Sequence, residues 1–208
     1  MIAARNDKTE IKMKDFDQAI DRVIGGLEKK SKVMSPEEKT IVAYHESGHA
    51  IVGWFLEHTD PVLKVSIVPR GTAALGFSQQ LPEEHYLFTR EQLLDTMSAT
   101  LGGRAAEEIK FESITTGASD DLQKVTKMAY SQIQAFGMSE KVGYLNFSKR
   151  QQEEGYVGKP FSEATANLMD QEVRDMIGEA YERAKSVLRE HKDSKSLETY
   201  PIKVLIAV

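Results

Sequence analysis

The 208-residue sequence contains no cysteine. That absence excludes disulfide frameworks, thiolate nucleophiles and sulfur-ligated zinc together, so any metal must be held by nitrogen and oxygen. Dense runs of Lys and Arg are also missing and the net charge is −5, so nothing provides the basic footprint that neutralises phosphates, and nucleic acid is not an expected partner. No stretch approaches the ~20 apolar residues a helix needs to cross a bilayer. The N-terminal MIAARNDKTEIK lacks the apolar core of a secretory signal, so the chain as written is expected to be soluble. The length suits one main domain.

What is present is mostly helical in period. Residues 14–24 place Phe16, Ala19, Ile20, Val23 and Ile24 on one stripe, with Asp15 and Gln18 as a capping box and Gly25-Gly26 as the stop. Ser35-Pro36 followed by Glu38 opens a helix that runs through Phe55. From Val62 the pattern turns β-rich (VLKVSIVPRG, then FSQQL), which reads as two strands of a small antiparallel unit. Thr89 and Gln92 start another helix with Leu93, Leu94, Met97 and Leu101 inside. Ser119 is the expected cap of the next, which carries Leu122, Val125, Ala129 and Ile133 and ends near Gly137. After an aperiodic stretch at 148–160, Ser162 opens a last long helix with Leu168, Val173, Met176, Ile177, Ala180, Tyr181, Ala184, Val187 and Leu188 on one stripe. The expected fold class is mainly α with a small antiparallel β unit.

Within the Ser35 helix, AYHESGHAIVGW puts His45, Glu46 and His49 in an apolar run. Each such polar group needs a partner or costs roughly 2 kcal/mol or more. Positions i and i+4 lie one turn apart on one face, so His45 and His49 can present two imidazoles to a single point. Glu46 sits where it can act as general base on a water at that point without ligating the metal, the H-E-x-x-H arrangement of zinc hydrolases. With only five histidines in the chain, an accidental match is expected in about one such chain in a hundred. Gly48 and Gly53 each cost about 1 kcal/mol against Ala in a helix interior, which either close helix packing or approach to the metal site would explain.

A catalytic zinc needs a third protein ligand. A histidine six residues after His49 is excluded by Phe55; Glu107 and Glu108 form one option, Asp120 and Asp121 another. Asp120 shares its face with Lys124 and Lys127, whereas Asp121 shares its face with Val125 and Met128. Asp121 therefore points inward and is the better ligand, although either aspartate would also suit the helix N-terminus by charge alone.

HESGH followed some seventy residues later by TTGASDDL, together with LGGRAAEE and FGMSEKVG, resembles the peptidase domain of the FtsH family of membrane-bound AAA proteases. The resemblance runs from about residue 14 to 188. LEHTDPVLKVSIVPR and AALGFSQQLP look most like the mitochondrial, paraplegin and AFG3-like branch. It implies a zinc peptidase with His45, His49 and Asp121 as ligands and Glu46 as base. It also implies homo- or hetero-hexameric rings at the matrix side of the mitochondrial inner membrane, degrading unfolded or membrane-extracted polypeptides with ATP. Residues 1–30 resemble the end of the AAA lid, 31–190 the metallopeptidase domain, and 191–208 match nothing in the family and read as a divergent, exposed tail.

No G-x-x-x-x-G-K-[ST] loop occurs, so no ATP site is expected on this chain, and membrane attachment would come only through missing segments or partners. A truncated or alternatively ended product is the corresponding expectation. A peptide substrate is expected to add to the edge of the strand around Val65–Val68. The competing readings are a truncated non-catalytic ring subunit and a zinc-stabilised assembly module; other divalent ions also suit a His/carboxylate site.

Overall fold

Local capping chemistry sets the main helices in the computed structural model, which describes residues 2–5, 7–24, 26, 34–68, 76–81, 84–147, 160–191 and 203–205. After a short helix α1 (Ile2–Arg5) and α2 (Met13–Ile24) comes α3 (Pro36–Phe55), opened by a reciprocal box between Ser35 and Glu38. Strands β1 (Val62–Ser66) and β2 (Phe77–Gln80) follow, then α4 (Arg90–Phe111), opened by the same kind of box between Thr89 and Gln92. A 3₁₀ turn (Thr116–Ala118) leads into α5 (Ser119–Gln134); α6 (Glu163–Glu190) is capped by Ser162, and β3 (Lys203–Leu205) is the last described element. Each box satisfies orphan N–H groups that would otherwise fray the first turn.

Helix α4 is the centre of the molecule. Its Leu94, Met97 and Leu101 join Val125, Ala129 and Ile133 of α5 and Met169, Val173, Met176 and Ala180 of α6 in the main core. Its other side is lined by small residues, Ala99, Ala105 and Ala106, which pack with Val52 of α3 and Ala184 and Leu188 of α6. The closest α3–α4 approach is between glycines: a Cβ at Gly48 would stand 2.3 Å from the Gly102 carbonyl oxygen, and one at Gly102 would stand 2.6 Å from that of Gly48. Helix packing thus explains Gly48. At Gly53 the nearest atom to an added Cβ is Val62 Cγ2 at 3.5 Å, an ordinary contact, so nothing there demands glycine.

The sheet has the order β2-β1-β3. β1 pairs antiparallel with β2, as expected, with Val65 opposite Ser78 and Ser66 opposite Phe77. It also pairs parallel with β3, Lys64 opposite Lys203 and Ser66 opposite Leu205. The expectation of a free edge along Val65–Val68 is therefore corrected: β1 is the central strand, paired on both sides, and the outer edges of β2 and β3 are the open ones among the described residues. The same pairing takes residues 203–205 out of an unpaired tail. Val62 and Val65 pack with Ala50 and Trp54, so the sheet is fastened to the helix that carries the histidines.

Three further expectations change. Asp15 is the third residue of α2 rather than the residue before it, and its carboxylate accepts from the Lys12 N–H at 2.9 Å and from Lys8 Nζ at 2.5 Å. Ser119 is the first residue of α5 and makes no side-chain cap, because the 3₁₀ turn capped by Thr115 runs directly into the helix. On α6, Leu168 faces outward while Met169 is buried. The expected loop at 148–160 lies outside the described residues up to 159.

Candidate metal centre

Helix α3 carries His45 and His49 one turn apart, and α4 and α5 bring partners from two other directions. His49 Nδ1 lies 2.9 Å from the Ala99 carbonyl oxygen, which can only accept, so Nδ1 carries the proton. His45 Nδ1 lies 2.7 Å from Glu107 Oε1. Glu107 is itself fixed, its Oε2 accepting from the Thr115 N–H at 2.8 Å, and its side chain is buried. With both Nδ1 atoms donating outward, both Nε2 atoms turn inward as bare acceptors.

They turn towards each other and towards one carboxylate oxygen. His45 Nε2 and His49 Nε2 are 3.1 Å apart, and Asp121 Oδ2 stands 3.3 Å from the first and 3.4 Å from the second. Three acceptors meeting with no donor between them repel one another unless a cation sits among them. A tetrahedral zinc with ligand bonds of about 2.0–2.1 Å requires ligand atoms about 3.3 Å apart, and this triangle matches. Among the described residues, His45, His49 and Asp121 form the group able to hold a metal ion.

The electrostatics follow from this convergence. Without a metal, a proton on His45 takes the cation's place: burial alone would lower the His45 pKa, but hydrogen bonds to Asp121 and Glu107 outweigh it and the pKa is raised. Burial would raise the Asp121 carboxyl, but in the same metal-free, protonated state hydrogen bonds from the two rings overcome it and hold the group far below the usual carboxylate range. Glu46 goes the other way: burial pushes its pKa up, against the pull of both histidines. Its side chain packs on the start of β2, where a Cβ at Gly76 would stand 2.6 Å from Glu46 Oε1 and 2.8 Å from the Ser66 carbonyl oxygen. The base candidate therefore lies beside the beginning of β2.

The two alternatives for the third ligand separate cleanly. Glu107 reaches His45 from behind and orients it. Glu108, one residue on, turns away to the Tyr181 hydroxyl and to Lys185 Nζ at 3.3 Å. Asp120 is exposed and pairs with Lys124 at 2.6 Å, as its helical face predicts. The residue that sequence reasoning passed over is Gly103. A Cβ there would stand 2.5 Å from His45 Nε2 and 2.6 Å from His49 Nε2, so glycine is what lets α4 form the floor beneath both rings. LGGR gave a hint in its paired glycines, but only the contact shows that Gly102 serves the helix packing and Gly103 the histidines.

Comparison with known proteins supplies an independent reading of this geometry. The model of peptidase family M41 matches residues 32–200. The chain is 58% identical over 195 residues to the ATP-dependent zinc metalloprotease FtsH of Rhodothermus marinus, covering 93% of this chain and 28% of that protein. It is 59% identical over 192 residues to the mitochondrial inner membrane m-AAA protease component AFG3L2 of Mus musculus, covering 92% and 24%. The mitochondrial ATP-dependent zinc metalloprotease FTSH 8 of Oryza sativa is 56% identical over 194 residues, covering 93% and 23%. The chain spans about a quarter of the length of these relatives.

Proposed function

The chain belongs to peptidase family M41, and from that premise we propose that residues 31–190 are a zinc-dependent endopeptidase domain, with His45, His49 and Asp121 as the metal ligands and Glu46 as the general base. The observation that carries this is the triangle of inward-facing Nε2, Nε2 and Oδ2 atoms at 3.1, 3.3 and 3.4 Å. Zinc held there supplies Lewis-acid chemistry, making water a nucleophile near neutral pH and polarising a peptide carbonyl.

The protein's own groups do the rest. Glu107 and the Ala99 carbonyl fix the tautomer and tilt of the two rings. Glu46, its carboxyl pKa raised by burial, takes the proton of the attacking water and delivers it to the leaving amine nitrogen. The outer edge of β2 offers main-chain N–H and C=O groups to an extended peptide, and Gly76, just before that strand, lies against Glu46. Recognition through main-chain atoms suits unfolded polypeptides of varied sequence.

The relatives are named as ATP-dependent proteases and as a component of an inner-membrane protease, and none of the described helices is long and apolar enough to cross a membrane. We assign residues 1–30 to the end of an AAA lid. The outward-facing Phe16, Ile20 and Val23 of α2 support that assignment. ATP-driven unfolding, a homo- or hetero-hexameric ring and the matrix side of the mitochondrial inner membrane complete the proposal. Bacterial and mitochondrial relatives are equally similar, so the mitochondrial placement rests on the LEHTDPVLKVSIVPR and AALGFSQQLP segments.

The test is casein degradation without ATP by the purified chain and its Glu46→Gln variant, with bound zinc quantified in both. Zinc in both and cleavage by the parent alone is the expected result. Zinc in both and cleavage by neither would make this a non-catalytic subunit or assembly module, and absence of zinc would overturn the site itself.

A further inference from the structure

Asp121 divides its two oxygens between different neighbours. Oδ2 faces the histidines, and Oδ1 faces Lys124, whose Nζ lies 3.8 Å away. We propose that Lys124 is a positioning residue for the metal centre, holding Asp121 to ligation through a single oxygen and so keeping a coordination position open for water and substrate. The proposal rests on the metal-site reading above and adds a residue to it.

The helix builds the device from consecutive acids. Lys124 stands at i+4 from Asp120 and i+3 from Asp121, so one ammonium spans both carboxylates. Asp120 grips it at 2.6 Å and, being exposed itself, has no access to the histidines. The pair thus places a cation beside the outer oxygen of the ligand. An ammonium is a compact charge with three donors and suits two carboxylate oxygens at once.

A carboxylate ligand swings readily between one-oxygen and two-oxygen binding, and two-oxygen binding would occupy the position that a catalytic site must leave free. Among the described residues, Lys124 is the partner that Asp121 Oδ1 faces. A surface ion pair of this kind adds little to folding. Its effect is on the orientation of a ligand, where a small bias is enough.

Cobalt(II) substitution of the whole chain reads coordination number directly from visible absorption, since geometry is diagnostic for this metal class. The parent should give the intense bands of a four-coordinate ion. Lys124→Met should bind cobalt with the same stoichiometry but lose about half or more of that intensity, as Asp121 swings to two-oxygen binding and the ion becomes five-coordinate. Lys124→Arg, which keeps a cation, should restore the bands, and Lys127→Met, on the same helix, should leave them unchanged. An unaltered spectrum in Lys124→Met would overturn the proposal. Should that variant fail to fold by circular dichroism, Lys124→Gln carries the same comparison. A parent that takes up no cobalt would instead sink the metal-site reading, a result distinct from an unaltered spectrum.

Discussion

Helices α3 and α2 invert one another. α3 buries His45 and Glu46 within an apolar surround and supplies partners for the ring nitrogens from α4 and α5. α2 has a clear apolar stripe, yet Phe16, Ile20 and Val23 are 55%, 45% and 84% exposed while Asp15 and Asp21 are buried, the latter pairing with Lys64 at 2.6 Å. Periodicity defines the faces of a helix, but which face is covered depends on what lies opposite. The polar face of α3 meets a built site, whereas the polar face of α2 meets one lysine of β1 and the segment around Lys8.

The contrast can be broken or sharpened by substitution. Glu46→Gln should lower peptide cleavage by about 10²–10⁴-fold, the range for losing a general base, with zinc content unchanged; a variant that still cleaves at the parent rate would remove Glu46 from the mechanism. Glu107→Gln should leave the fold intact and weaken zinc binding by about 10–100-fold, the usual cost of losing a partner behind a ligand, measured by competition with a chromophoric chelator. Gly48→Ala forces a methyl against the Gly102 carbonyl oxygen and should destabilise the protein by about 1–3 kcal/mol, read from urea unfolding. If Gly48→Ala were neutral, the α3–α4 contact would be looser than described.

The pH dependence has a definite sign. His45 and Glu46 both have raised pKa values in the metal-free fold, so each contributes stability that is full below its unfolded pKa and is lost as pH rises through its folded one. Metal competes with the His45 proton and binds more tightly as pH rises. The melting temperature of the chelator-treated protein should therefore fall as pH is raised above 6.5, while the increment given by zinc grows. Equal zinc increments at pH 6 and pH 8 would argue against His45 as a ligand. The smallest effect belongs to α2, where Ile20→Ser should change stability by no more than about 0.5 kcal/mol, as for other exposed positions; a larger loss would mean that the stripe is covered.

Much of this architecture was legible because its signals are local. Ser35 with Glu38, Thr89 with Gln92, and Ser162 act where the chain places them, since a cap needs only its own first turn. Asp121 was separable from Asp120 because helical phase alone sends one inward. What escaped were contacts between segments far apart in sequence. Glu107 and Glu108 are adjacent acids on one helix, and only the position of His45 Nδ1 makes the first an orienting partner and leaves the second to Tyr181 and Lys185. Ser119 failed as a cap because a 3₁₀ turn, built on Thr115, had already turned the chain.

Local sequence was enough for the long helices, the caps at Ser35, Thr89 and Ser162 and the i, i+4 pair of imidazoles, because backbone geometry converts spacing into direction without reference to the rest of the molecule. The tertiary structure alone decided that Asp121 Oδ2 completes the triangle, that Gly103 leaves room beneath the rings, that β1 is a central strand and that the stripe of α2 faces outward. Those depend on distances between elements. A distance of that kind is fixed by close packing of whole surfaces, which no local window contains.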